Sequence, residues 1–466
     1  MKFMKSNLLY IVCGCALLSG CHLYSNFERP DSIEQIEGLY RDTADVNHNL
    51  AVGDTANFGN LTWQEVFVEP QLQKLINQAL ANNVDVQKAE FNIQKAQSGL
   101  TVSKLAYIPS MVIAPQGTVS SFDWNKASQT YTLPLAMSWN LGQMGNLRNL
   151  RKQAQVNLSL TKIAKQATQS SIVGAVANLY YTLTMLDEQL RTTKSTIDLW
   201  KKNVEAMEAM KEAGMVNEAA VSQTKANFYE LQASVPVLEN SIRQTENDLC
   251  MILGETPHGI ERGAFQTEKF PESFSVGVPL HLLSNRPDVM LAELQLASLF
   301  YEVNIARSGF YPGLNLTGTL AFTNSGGGAV FNPGKFISSA VASVTQPIFQ
   351  NGLLRANLKI KKLDYESAEL QFRQTLLQAG ADVSNALASY QTSVEQQILR
   401  EQEVNEMEKA NENIQFLFAH TNTTSYLETL TAQQSLLAAQ LALINDKYNK
   451  VQSVIKLYQA LGGGRY

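Results

Sequence analysis

Few side chains in this sequence could do chemistry. The histidines are His22, His48, His258, His281 and His420, and no two stand at the spacing of about three to five residues that lets one element present paired metal ligands. No serine lies in a nucleophile elbow, and no serine–lysine motif has the strand-turn-helix setting that would activate it. Gly462-Gly463-Gly464 stops a helix but lacks the lysine and following helix of a phosphate loop. The cysteines are Cys13, Cys15, Cys21 and Cys250. If a leader ending before Cys21 is removed and Cys21 is modified, Cys250 alone remains, so no intramolecular disulfide can form even in an oxidising compartment. Cys250 follows an apolar heptad position, which predicts packing. The inventory predicts no enzyme, no metal site and no cofactor beyond what is covalently attached.

Residues 1–20 have the layout of a secretory signal, with Lys2 and Lys5 ahead of Leu8-Leu9-Tyr10-Ile11-Val12. The apolar stretch is too short to span a bilayer, which takes roughly 20 residues. It ends in Leu18-Ser19-Gly20-Cys21, which resembles the lipobox of bacterial lipoproteins. That resemblance implies cleavage before Cys21, a thioether-linked diacylglycerol on its sulfur and an N-acyl chain such as palmitate on its new amino group. Residues 21–68 then form a lipidated tether and belt segment.

Charged residues are 17% of the chain and the net charge is −5. This mild acidity offers no field for phosphates and argues against nucleic acid as a partner. No apolar run after residue 21 reads as long enough for a membrane helix.

The chain is built twice. Tyr107-Ile108-Pro109-Ser110-Met111 returns 203 residues later as Phe310-Tyr311-Pro312-Gly313-Leu314, and Asp85-Val86 with Ala89-Glu90 returns as Asp288-Val289 with Ala292-Glu293. Gly145-x-Leu147-Arg148 returns as Gly352-x-Leu354-Arg355, and Leu253-Gly254 as Leu461-Gly462. The period far exceeds the roughly 20 to 50 residues of a solenoid unit, so the pattern predicts two halves of one pseudo-symmetric body, residues 69–260 and 261–466.

Each half predicts very long helices. Apolar residues recur with heptad spacing from Val221 through Phe228, Leu231, Val235, Leu238, Ile242 and Leu249 to Ile252, with Lys225 and Thr245 near the seam. A matching series runs from Leu427 to Tyr458 with Gln434 as its polar member. The helices before them run without proline from Gly145 to about Lys211 and from Gly352 to about Leu417. Some 65 helical residues would reach ~100 Å. Short polar turns, residues 212–217 and 420–425, make these pairs into hairpins, with Gly214 as a left-handed cap and Asn217 or Thr424 capping the return helices. Pro236 predicts a local bend. In Arg286-Pro287-Asp288, Ser284 or Asn285 as cap, proline in the first turn and aspartate at the positive end are helix-start chemistry rather than a ligand site.

Between the helices lie strands. Tyr131, Leu133, Leu135, Met137, Trp139 and Leu141 alternate with polar or small residues, as do Leu314, Leu316, Leu320 and Phe322. Period-two alternation over about ten residues fits a tilted transmembrane strand, apolar toward lipid and polar toward a lumen. With weaker partners at 111–122 and 336–349 the pattern gives two hairpins and four strands. Four strands cannot close, and an open edge is not tolerated in hydrocarbon, so a barrel must be assembled between chains. The fold class is therefore mainly α with a transmembrane β-barrel portion. A lipid-tethered coiled-coil spacer without a pore is the competing reading, but a spacer needs no such strands.

Leu283-x-x-Arg286-Pro287-Asp288-Val289, Ala306-Arg307 before Phe310-Tyr311-Pro312, Tyr426-Leu427-Glu428-x-Leu430-x-Ala432-Gln433 and Leu457-Tyr458-x-Ala460-Leu461-Gly462 together resemble the TolC/OprM-like outer-membrane efflux proteins, in their lipoprotein branch. The resemblance spans the whole mature chain. It implies a homotrimer with a twelve-stranded β-barrel in outer-membrane lipid and an α-barrel in the periplasm of a Gram-negative cell. It also implies docking to a periplasmic adaptor and an inner-membrane pump, commonly of the resistance-nodulation-division class; export of proteins by a type I system is the alternative within the family. It further implies a pore constriction at the second hairpin tip, with Tyr426, Glu428 and Thr429 as gate residues. Gly214, Met215, Val216, Asn217 and Glu218 at the first tip, with His420, Thr421, Asn422 and Thr423 at the second, are then the surface for the adaptor. Tyr426 and Thr429 stand where TolC itself has aspartates, which puts strong cation selectivity in doubt.

Overall fold

The computed structural model describes residues 24–30, 61–121, 123, 127–143, 145–265, 286–325, 335–421 and 424–463. Cys21, Asn422, Thr423, Ser284 and Asn285 lie outside the described residues. In chain order the elements are α1 (Trp63–Val66), α2 (Pro70–Asn82), α3 (Val84–Leu105), β1 (Ser110–Ile113), β2 (Gln116–Ser120), β3 (Ser128–Gln143), α4 (Asn146–Glu212) and α5 (Glu218–Leu253). The second half repeats the plan with α6 (Pro287–Ser308), β4 (Gly313–Ser325), β5 (Lys335–Thr345), α7 (Leu353–His420) and α8 (Tyr426–Ala460). The helices α4 and α7 have 67 and 68 residues. Repeated glycines mark repeated joints: Gly145 and Gly352 enter the long helices at φ 82° and 80°, and Gly254 and Gly462 leave the return helices at φ 73° and 79°.

The chain divides into two compact units, each drawing on both halves: one of residues 1–35, 92–162 and 291–373, the other of residues 36–91, 163–290 and 374–466. The first holds the sheet, an antiparallel ladder in the order β1/β2, β3, β4, β5. The β1 and β2 segments are one strand in constant register against β3, broken at Ala114 and Pro115. Pro115 brings no N–H, and the residue facing Ala114 is Pro134, which brings none either, so the ladder loses donors on both sides there. Among the described residues four strand positions result, as the alternation predicts, with the first interrupted.

Register aligns the apolar faces. Leu133 lies opposite Phe322, Leu135 opposite Leu320 and Trp139 opposite Leu316, while Thr132, Ala136, Ser138 and Asn140 meet Thr323, Thr319, Thr317 and Asn315. Leu141 departs from the expected alternation. A bulge between Asn140 and Gly142 takes it out of register, because Gly142 adopts φ 61° and its N–H bonds the Asn140 side chain at 2.7 Å. The last strand ends at Thr345, four residues earlier than the sequence suggests, and Ile348 and Phe349 beyond it are almost fully exposed.

One helix corrects the membrane reading. By length and composition α6 could cross a bilayer. Two of its acids are nonetheless partnered within the first unit: Glu293 takes a two-pronged bond from Arg29, and Glu302 bonds Gln153 at 3.0 Å and Lys361 at 2.7 Å. Charged groups paired to protein in this way mark a packed helix rather than one in lipid.

In the second unit the core is built from α1, α2 and stretches of the long helices. Trp63, Phe67, Tyr180, Leu183, Leu249, Ile455 and Tyr458 are buried. The rings of Phe67 and Tyr458 meet edge-on at 6.0 Å, and the Tyr458 hydroxyl donates to the Leu61 carbonyl at 3.0 Å. Cys250 is buried, its Sγ 3.5 Å from His258 Nδ1. Helix α5 runs through Pro236 without interruption.

Candidate functional site at the hairpin tips

Both tips lie in the second unit, and their chemistry differs. At the first, α4 ends at Glu212 and Gly214 turns the chain at φ 74°, so that Met215 N–H reaches the Met210 carbonyl at 2.9 Å. Asn217 caps α5 by accepting from Ala220 N–H at 3.0 Å. Two ion pairs cross from α4 to α5 just behind the turn, Lys211 with Glu218 and Glu208 with Lys225, the latter at 2.5 Å. The Lys211 partner holds the Glu218 carboxyl below the usual carboxylate range. Met215 projects from the turn with 69% of its surface exposed, and Val216 is half-buried.

The second tip is closed by a capping box. Ser425, not Thr424, caps α8: the Glu428 carboxylate accepts from Ser425 N–H at 3.0 Å while the Ser425 hydroxyl accepts from Glu428 N–H. Glu428 is exposed, yet its carboxylate already has a backbone partner, so it is held along its own helix end. His420 closes α7, its Nδ1 3.0 Å from the Phe416 carbonyl and its ring stacked on Phe416 at 4.4 Å. Thr421 bonds the Leu417 carbonyl through its hydroxyl at 2.7 Å.

Tyr426 leaves this hairpin and reaches the other. Its hydroxyl is 2.8 Å from Thr224 Oγ1 on α5, and Thr224 Oγ1 is 2.7 Å from the Ala220 carbonyl. A threonine has one hydroxyl proton, and the carbonyl can only accept, so Thr224 donates to Ala220 and Tyr426 donates to Thr224. Burial pushes the Tyr426 phenol above its ordinary pKa, which keeps that proton in place. The ring also packs on Phe418 at 5.8 Å. Thr429, one turn on, is 6% exposed and its hydroxyl has no hydrogen-bond partner among the described residues. Of the three proposed gate residues, then, Tyr426 spans the hairpins, Glu428 caps and Thr429 is packed.

The sequence reading missed Thr224. It put Lys225 near the seam, but Lys225 turns outward to Glu208 and Thr224 is the buried polar residue. The signal was the gap in the apolar series between Val221 and Phe228.

Arg286 has the structural role expected, but with more partners. It occupies the cap position itself, since Met290 N–H bonds its carbonyl at 3.0 Å and α6 starts at Pro287. Its guanidinium, nearly buried, bonds Asp288 at 2.8 and 3.0 Å, Asp382 at 2.9 Å, and the carbonyls of Ala379 and Ala460 at 3.3 and 3.0 Å. Three helices are thereby joined at one side chain. A second arginine, Arg262, clasps Asp187 and Glu246. Among the described residues no cluster of three or more His, Cys, Asp or Glu side chains is arranged to hold a metal ion.

The whole chain has relatives. It is 26% identical to the probable outer membrane lipoprotein SilC of Salmonella typhimurium, over 100% of this chain and 99% of that protein. It is 26% identical to the cation efflux system protein CusC of Escherichia coli K12, over 97% of this chain and 98% of that one. Its fold matches the MtrE outer membrane channel of Neisseria gonorrhoeae with a TM-score of 0.84 at 22% identity, covering 95% of this chain and 98% of that one. The profile of the outer membrane efflux protein family matches residues 75–255 and 278–463, one match in each half of the repeat. With the open-edged strand ladder and the paired long hairpins, these matches establish that the chain belongs to the outer membrane efflux protein family.

Proposed function

We propose that this outer-membrane efflux channel works as a homotrimer, anchored by acyl chains on Cys21, that takes its substrate from a periplasmic adaptor and an inner-membrane pump of the resistance-nodulation-division class. The sheet calls for pairing between copies, and likeness to the family sets the number at three. Among the described residues its outer members, β1/β2 and β5, each have a β partner on one side only, and a lipid-facing edge must be paired. Three copies give twelve strands, and each copy adds its two hairpins to an α-barrel. The description of SilC as a lipoprotein supports acylation of Cys21. CusC is named for cation efflux, yet 26% identity does not carry a substrate across, and the compound expelled is selected by the pump.

The resting pore is closed at the second tip. The Tyr426–Thr224 bond ties α8 to α5, and opening requires that it be exchanged when the adaptor engages the tips. The first tip, with its exposed Met215 and its crossed ion pairs, is the adaptor surface.

Cross-linking of the purified protein should stop at three chains, and planar-bilayer recordings should show a conducting pore. A species that stops at two chains, or that never conducts under any gating condition, would overturn the trimeric channel. Loss of palmitate labelling in Cys21→Ala tests the anchor separately.

A further inference from the structure

The described residues next to the anchor, Tyr24–Pro30, form neither helix nor strand, yet four of the seven are bound to the unit that holds the sheet. Tyr24 is buried, its ring lying over Gly145, where β3 hands over to α4. Asn26 accepts from Lys152, which also stands 5.7 Å from the face of the Tyr301 ring. Phe27 meets Phe300 edge-on at 5.8 Å. Arg29 closes the run with paired bonds to Glu293, at 3.0 Å from Nε and 2.7 Å from Nη2.

The repeat supplies an internal comparison. Gly145 and Gly352 occupy equivalent joints and share a left-handed φ, 82° and 80°. A Cβ on Gly352 would meet nothing within 4 Å, whereas a Cβ on Gly145 would overlap the Tyr24 ring. Backbone conformation asks for glycine at both places; only at Gly145 does a packed side chain ask for it as well.

We propose that Tyr24–Arg29 is a clamp that registers the acylated N terminus against the strand-to-helix joint of the first half. Tyr24 keys into the Gly145 notch and the Arg29–Glu293 pair locks the far end. Cys21 is three residues upstream of Tyr24, so its backbone is on a leash of at most ~10 Å from that of Tyr24. The acyl chains are therefore fixed to the body that carries the sheet and do not trail on a free tether. This rests on acylation of Cys21.

The test uses the full chain in membranes from cells fed labelled palmitate, with limited chymotrypsin and the rate of cleavage after Phe27 scored by the mass of the labelled fragment. Cleavage there requires local opening of the clamp. Tyr24→Ala and Gly145→Ala should be cut about tenfold faster than wild type, and Arg29→Ala faster as well, whereas Gly352→Ala, carrying the same backbone strain without a clamp, should match wild type. Equal rates in all variants would sink the clamp, as would Gly352→Ala opening as fast as Gly145→Ala. If Gly145→Ala does not accumulate, Tyr24→Ala and Arg29→Ala decide alone. Label persisting in Cys21→Ala would overturn acylation itself, and with it the clamp's role as an anchor; uniform cleavage with Cys21-dependent label overturns the clamp only.

Discussion

Asn83 and Arg286, 203 residues apart, make the same bond in the two halves of the chain: Asn83 Nδ2 donates to the Ile252 carbonyl at 2.9 Å, and Arg286 Nη1 to the Ala460 carbonyl at 3.0 Å. Each stands just before its short helix, α3 or α6, and each holds the last turn of the return helix of its own half, α5 or α8. Asn83 also caps α3, accepting from Asp85 N–H at 2.8 Å. Arginine cannot accept, so Arg286 gives up that task and gains ion pairs with Asp288 and Asp382. A neutral clasp in one half is a charged one in the other, and a cation at a helix C-terminus is favoured by the helix dipole.

Removing the two clasps should therefore cost different amounts. Asn83→Ala loses one neutral bond to a carbonyl and a cap, about 1 to 2 kcal/mol. Arg286→Ala strips two carboxylates and two carbonyls of their shared partner; both aspartates are partly exposed, so the loss should fall at the low end of the penalty for breaking a buried pair, at about 3 kcal/mol. Urea midpoints of the detergent-solubilised variants check this. Equal shifts would mean that the charges in the second half add nothing to the clasp.

The same charges set an acid limit. Burial pushes the Asp288 carboxyl up, but hydrogen bonds and charge from Arg286 outweigh it and hold the pKa below the ordinary value of 3.8. A depressed folded-state pKa contributes stability that is present above the unfolded value and is lost as pH falls through the folded one. Wild type should thus lose stability as pH drops below about 4. Asp288→Asn should be less stable at neutral pH and show a flatter acid limb. Parallel acid limbs for the two proteins would remove Asp288 from this account.

How much of this was legible is clearest at the tips. The long helices could be read because sustained heptads leave few alternatives, and α4, α5 and α8 end within two residues of Gly214, Gly254 and Gly462. Three hydroxyl residues in a row, Thr423, Thr424 and Ser425, compete for the cap; what separates them is Glu428, three residues beyond Ser425, and that spacing was visible. The bulge at Leu141 was not, because alternation continues through it and only the backbone of Gly142 departs. Nor was the Tyr426–Thr224 bond, since a contact between residues 202 apart depends on the rotational phase of two helices, and heptad spacing leaves that phase uncertain by a residue. The clasps escaped notice because equivalent positions carry different residue types.

That bond makes a double-mutant cycle possible at the gate. Tyr426→Phe removes the donor and Thr224→Val the acceptor, each costing the closed arrangement about 1 kcal/mol, or roughly a fivefold rise in the open fraction per subunit. The double variant should conduct no more than the more open single one, because both break the same bond. Multiplying effects in single-channel recordings would show that the two hydroxyls act separately. Glu428→Gln belongs to a different class: the amide oxygen can still accept from Ser425 N–H, so conductance should change little.

The first tip should respond to charge in the opposite way, with docking altered and resting conductance unchanged. Lys211–Glu218 and Glu208–Lys225 cross between α4 and α5 behind Met215, on exposed side chains whose attraction falls with salt. Glu218→Lys places two cations side by side and disorders the turn that presents Met215. Restoring opposite signs with Lys211→Glu in the same chain should rebuild the turn with its polarity reversed. If the adaptor reads only the shape of the tip, the swapped protein recovers binding; if it reads the charges, only the single salt-independent contribution from Met215 returns. Adaptor binding by surface plasmon resonance at low and high salt separates these, with Met215→Ala as reference. Resting conductance should match wild type throughout, and a leak in Glu218→Lys would move the constriction from the second tip to the first.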